Sequence, residues 1–143
     1  MTKADVMNET ALGGLVDILD SVREHLTVFT GLAVPVQVSL APKTLGTVVA
    51  IQLSGGGELG RLAGLLLDWA DTLTDVTVRA WYASPTSLHV YVFGRLTDGL
   101  MIQVWGGADL ADGVRPVRGC QSWRDEIDRS FLRRWAAVPG VAA

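Results

Sequence analysis

Three stretches of the 143-residue chain carry residue types at spacings that could do chemistry. The first, SGGGELGRL, contains G-x-G-x-x-G at Gly55, Gly57 and Gly60, between a predicted strand and a predicted helix. Glycines at that spacing let backbone amides approach a pyrophosphate at a helix N-terminus. Glu58, however, stands where a phosphate would go, and its carboxylate already satisfies the helix dipole. The next predicted strand ends in RAWYAS and lacks the acid that would hold a ribose. A hairpin then follows, where a doubly wound fold would continue with βα units. The expectation is a glycine corner that opens a helix, with no cofactor.

The second stretch holds Cys120 among Arg115, Arg118 and Arg124. Cations and a helix N-terminus lower a thiol pKa. A catalytic thiol also needs a base, and His25 and His89 are the only histidines. The third is GADLADG, with Asp109 and Asp112; it is too short for a calcium loop and lacks the closing Glu of an EF-hand. Neither HxxxH nor CxxC spacing occurs. The sequence therefore assigns no catalytic residue and no metal ligand.

The elements that must position any site are read from periodicity. Leu12, Leu15, Leu19, Val22 and Leu26 form one stripe of a helix at about residues 9–26, and Leu59, Leu62, Leu66, Trp69 and Leu73 a second at about 58–73. Val34, Val36, Val38 and Leu40, then Val49, Ile51 and Leu53, alternate as two strands joined by APKTLG. A strand through Val76–Tyr82 precedes a hairpin. Ser122 with Asp125 resembles a capping box for a last helix, which would carry Trp123, Ile127, Phe131 and Trp135 on one face. The order is α-β-β-α-β-β-β-α. The expected fold is α+β, one domain over 1–143, with a largely antiparallel sheet of about five strands and helices packed on it.

The hairpin SLHVYVFGRLTDGLMIQVWGG is apolar or aromatic at nearly every position. A hairpin with one wet face alternates apolar and polar. A three-residue loop, Thr97-Asp98-Gly99 with Gly99 in a G1 bulge, pairs Leu96 with Leu100. That register collects Leu88, Val90, Val92, Leu96, Leu100, Ile102 and Val104 on one face. Arg79, Trp81, His89, Tyr91, Phe93, Arg95, Met101, Gln103 and Trp105 fall on the other. A two-residue turn would mix the two sets. The last helix is the first candidate to cover the aromatic face, and a second copy of the chain is the next. Single-stranded nucleic acid, which stacks on aromatics beside Arg, is third.

Net charge is −3, which gives no global pull toward nucleic acid. The charge is uneven, with acids concentrated in residues 1–30 and Arg in 113–134. Mean hydropathy is positive, at +0.32. Lys43 is the only charge between Leu26 and Gly57, but polar residues and prolines interrupt that stretch below the ~20 apolar residues a spanning helix needs. A membrane partner is not expected. The first ten residues contain no apolar signal-peptide core, and the lone Cys120 excludes an intrachain disulfide. Both favour the cytoplasm.

LLLDWADTLTDVTVRAWYASPTSLHVYVFGRLTDGLMIQVWGG resembles a stretch found in small uncharacterised proteins of actinobacteria and their phages. The resemblance covers roughly residues 60–107 and implies an accessory or mobile-element protein, with no activity, cofactor or site residue attached. By elimination the expected function is a non-catalytic protein-interaction or self-assembly module, a homo-oligomer or the binder of a protein partner. The alternatives are single-stranded nucleic-acid or nucleotide binding through the aromatic face, and a small enzyme.

Overall fold

In the computed structural model, residues 3–43, 46–119 and 125–138 are described. Helix α1 (Lys3–Val28) leads into the antiparallel pair β1 (Gln37–Lys43) and β2 (Gly46–Gln52). Helix α2 (Leu59–Ala70) follows, then β3 (Thr74–Ser84), β4 (Ser87–Arg95) and β5 (Met101–Asp109). A two-residue strand β6 (Glu126–Ile127) and helix α3 (Ser130–Ala137) close the chain. The sheet order is β1-β2-β5-β4-β3-β6. Every pairing is antiparallel except β2 with β5. The fold is thus α+β with the expected order of elements, plus the short sixth strand.

The parallel pair has a topological cause. β2 and β3 run in the same direction, so the chain must cross from one end of the sheet to the other between them, and a helix is the usual vehicle. α2 makes that crossing over β5 and β4. Its stripe of Leu59, Leu62, Leu66 and Trp69 is fully buried against Val49, Ile51, Val90, Val92, Ile102 and Val104. Each such side chain contributes roughly 1.5–3 kcal/mol on burial.

The last helix departs from the sequence reading in start and in side. Asp125 is not helical, Glu126 and Ile127 form a strand, and Ile127 pairs with Val78. The helix begins only after Asp128, whose carboxylate accepts the Ser130 backbone N–H at 2.7 Å. That local bond holds the Asp128 carboxyl below its ordinary pKa and sets the start where Ser122 had been expected to. Ser122, Trp123 and Cys120 lie outside the described residues. α3 packs on α2, with Leu132 and Trp135 buried, on the aliphatic side of the sheet. It does not cover the aromatic face.

Among the described side chains of α1, those toward its C-terminus join the core. Val22 and His25 are buried, whereas Leu15 and Leu19, expected on the same inward stripe, are exposed. His25 Nε2 lies 2.8 Å from the Thr72 hydroxyl. Thr72 spends its own proton on the Trp69 carbonyl at 2.7 Å, so the imidazole must be the donor. Its ring stacks on Trp69 at 5.7 Å, and Ser21 donates to the Asp98 carboxylate.

Candidate functional site: the aromatic sheet face

The β4–β5 loop sets the site's register. Leu96 N–H donates to the Leu100 carbonyl and Gly99 N–H to the Leu96 carbonyl, both at 2.9 Å. Gly99 has φ +91°, which favours glycine. The Asp98 carboxylate accepts the Leu100 N–H at 3.0 Å, bracing the turn. Arg95 then stands opposite Met101, Phe93 opposite Gln103, Tyr91 opposite Trp105 and His89 opposite Gly107. On the other flank, Arg79 pairs with Tyr91 and Trp81 with His89. Side chains alternate along a strand, so all nine residues singled out from the sequence share one face.

The rings on it form an ordered array. Tyr91 stacks on Trp105 at 5.6 Å and 17° and on Phe93 at 6.3 Å and 22°. His89 leans on Trp105 at 5.3 Å, and Trp81 meets it edge-on at 5.8 Å. Trp81 Nε1–H donates to the Tyr91 hydroxyl at 3.2 Å. The Arg79 guanidinium lies 5.6 Å from the Phe93 ring centre. Such contacts add roughly 0.5–1.5 kcal/mol each beyond area burial. They leave the rings half-buried by one another, with Met101 49% exposed at the margin.

The face carries cations but little net field. Arg79 Nη2 is 3.3 Å from Glu126, and Arg95 Nε is 3.6 Å from Asp75. Asp75 adopts φ +53° at the irregularity between Thr74 and Thr77. Burial pushes the His89 imidazole below its ordinary value, so near neutral pH it is uncharged. Among the described residues no helix packs on this side: α2 lies on the opposite face, and α3 lies on α2.

Four residues that the sequence reading missed extend the face. Gln52 stands opposite Trp105 and Ala50 opposite Gln103 across the parallel pair. Gln37 and Ser39 of β1 continue those rows. Their alternation with Val49, Ile51 and Val38 was the available signal, but the partner of β2 was not readable from it.

The other candidates resolve differently. At the glycine corner Gly56 and Gly57 have φ +68° and +84°. A Cβ on Gly57 would lie 2.6 Å from the Asp109 carboxylate, and one on Gly60 would lie 2.9 Å from the Trp135 carbonyl. These glycines admit the end of β5 and the end of α3, with Asp109 N–H bonded to the Gly57 carbonyl at 2.9 Å. Among the described residues no group of three or more His, Cys, Asp or Glu could hold a metal ion. A groove of about 260 Å³ runs between the C-terminal part of α1 and the β4–β5 loop, with Glu24, His25, Phe29 and Asp98 in its wall. Comparison of the chain with protein-family models, with curated proteins and with solved structures gives no match.

Proposed function

We propose that this chain is a non-catalytic protein-interaction module that self-assembles through its aromatic sheet face. The observation that carries the reading is an ordered array of Trp81, His89, Tyr91, Phe93 and Trp105 on which no described element packs. Large aromatic side chains dominate interface energetics because each removes much area from water at small entropic cost. The two arginines already have carboxylate neighbours, so an apolar protein surface meets no unpaired charge there. A second copy of the same face offers matching rings with its arginines likewise beside carboxylates, and two sheets stack about 10 Å apart. A cytoplasmic setting and an accessory role in a mobile element complete the reading. No helix among the described residues is long and apolar enough to cross a membrane.

The near-parallel Tyr91–Trp105 pair also has the geometry of a base-stacking platform. Binding of that kind depends on phosphate contacts, and the pairing of Arg79 and Arg95 with Glu126 and Asp75 works against it. Light scattering at micromolar concentration tests the choice. The wild type should be oligomeric, and Trp105→Glu should lower its mass while preserving the circular dichroism spectrum. A wild-type monomer that retains single-stranded oligonucleotide, with affinity falling as salt rises, would overturn self-assembly in favour of nucleic-acid binding.

A further inference from the structure

The two edges of the sheet are built differently. One edge is β6, two residues long, where Glu126 pairs with Arg79 and Asp125, Asp128 and Arg129 flank the strand. Short length and charge are how natural sheets prevent an edge from pairing with another chain. The opposite edge is β1, seven residues long, with no pairing strand beyond it among the described residues. Lys43 is the only charged residue anywhere between Thr27 and Gly57. Pro42, whose missing N–H an edge strand tolerates, sits near its end.

The side chains at that edge repeat the contrast. Val38 pairs with Ile51, so it lies on the aliphatic side of the sheet. Ile51 is fully buried under α2, yet Val38 is 43% exposed. Val36 and Val34 before it are 61% and 84% exposed. The core face therefore runs out from under its helix at Val38, beside the open ladder of backbone donors and acceptors of β1, with two more exposed valines in the irregular segment before the strand.

We infer that β1 is a second self-association surface, on which β1 of another copy pairs antiparallel to extend the sheet across a two-fold axis. The occupant follows from complementarity. In a two-fold antiparallel pair centred on Val38, that residue meets its own copy, Gln37 meets Ser39 and Val36 meets Leu40, so apolar meets apolar and polar meets polar. The strand meets no like charge in its own copy, because between residues 34 and 42 it has none. Sharing the edge satisfies both ladders and brings the two copies of Val38 together. It also places the two aromatic faces on the same side of one continuous sheet. The inference stands apart from the aromatic-face reading: either contact can form without the other, and both together close into a tetramer where their two-fold axes cross at right angles.

Light scattering on the full chain separates them. In a Trp105→Glu background, with the aromatic contact removed, the protein should remain a dimer. Adding Val38→Lys should raise its dissociation constant about tenfold or more by setting two lysines opposite one another at the axis, and Val34→Lys, outside the strand proper and facing Pro42, should raise it less. Val34 is the safer site for the fold, because its side chain is the more exposed. The edge contact is overturned if Trp105→Glu alone is monomeric at every concentration, or if both lysine variants leave the mass of the Trp105→Glu protein unchanged. If the lysine variants reduce wild type to monomer while Trp105→Glu has no effect, the edge stands and the aromatic-face reading fails.

Discussion

The two faces of the central hairpin come from the same two strands and differ by one residue of phase. On one face Leu88, Val90, Val92, Ile102 and Val104 are at most 1% exposed. On the other His89, Tyr91, Phe93, Gln103 and Trp105 are half-buried. The first is made of compact aliphatic side chains that receive the ridge of α2. The second is made of planar rings that pack edge-on and face-on against each other within the sheet. Apolar content alone does not separate a core face from a surface. The shape of the side chains, and whether they find partners across the sheet or within it, does.

A cavity placed on each face should sharpen this contrast most. Leu66→Ala, on the covered side, removes a side chain with no solvent exposure and should cost about 2–5 kcal/mol in urea unfolding. Phe93→Ala, on the half-buried ring face, loses its stack with Tyr91, about 0.5–1.5 kcal/mol beyond the area the ring buries, and should cost less than Leu66→Ala. It should change oligomer mass more than it changes stability. Equal losses of stability would mean that the ring face is a second core.

Much of this contrast was legible in the sequence because it is local. The three-residue loop at Thr97–Gly99 fixes the hairpin register through bonds within five residues, and period-two alternation then sorts every side chain. What was not legible is non-local. The β2–β5 pairing joins residues some fifty positions apart, and nothing in Ala50 or Gln52 names Trp105 as a neighbour. The side on which α3 packs depends on the bare surface that Gly60 offers to Trp135. Its start depends on Asp128, one of several acids near it that could have capped the helix. The inward stripe of α1 reads as continuous in the sequence, whereas Leu15 and Leu19 on it are exposed.

A smaller effect, dependent on pH, separates the faces by their histidines. Burial pushes both His25 and His89 below the ordinary value of 6.5, with Asp98 partly opposing the shift at His25. The unfolded chain then binds protons more readily than the folded one, so stability rises with pH in this window. It is fully present above pH 6.5 and falls as the pH drops below that value toward the folded pKa values. His25 joins α1 to the core through Thr72 and Trp69, so acidification should loosen α1 first. Trp fluorescence followed with pH should show a transition that His25→Gln weakens and His89→Gln leaves in place. A transition that disappears only in His89→Gln would move the acid-sensitive contact to the ring face.

The smallest effect expected is at the charges. Asp75 is exposed and 3.6 Å from Arg95. Surface pairs of this kind contribute about 0.2–1 kcal/mol. Asp75→Asn preserves the side-chain shape, and Asn tolerates the positive φ at this position. Unfolding in urea should therefore shift within that range, and light scattering should show an unchanged mass. If aromatic burial holds the copies together, the mass responds to Phe93 or Trp105 and is indifferent to Asp75. If neutralisation of the arginines controls the face, Asp75→Asn leaves Arg95 without its carboxylate neighbour. The variant should then lose mass as strongly as Trp105→Glu does, and raising the salt concentration should reverse the loss by screening the exposed guanidinium. That outcome would make electrostatics, rather than the shape of the ring array, the difference between the two faces.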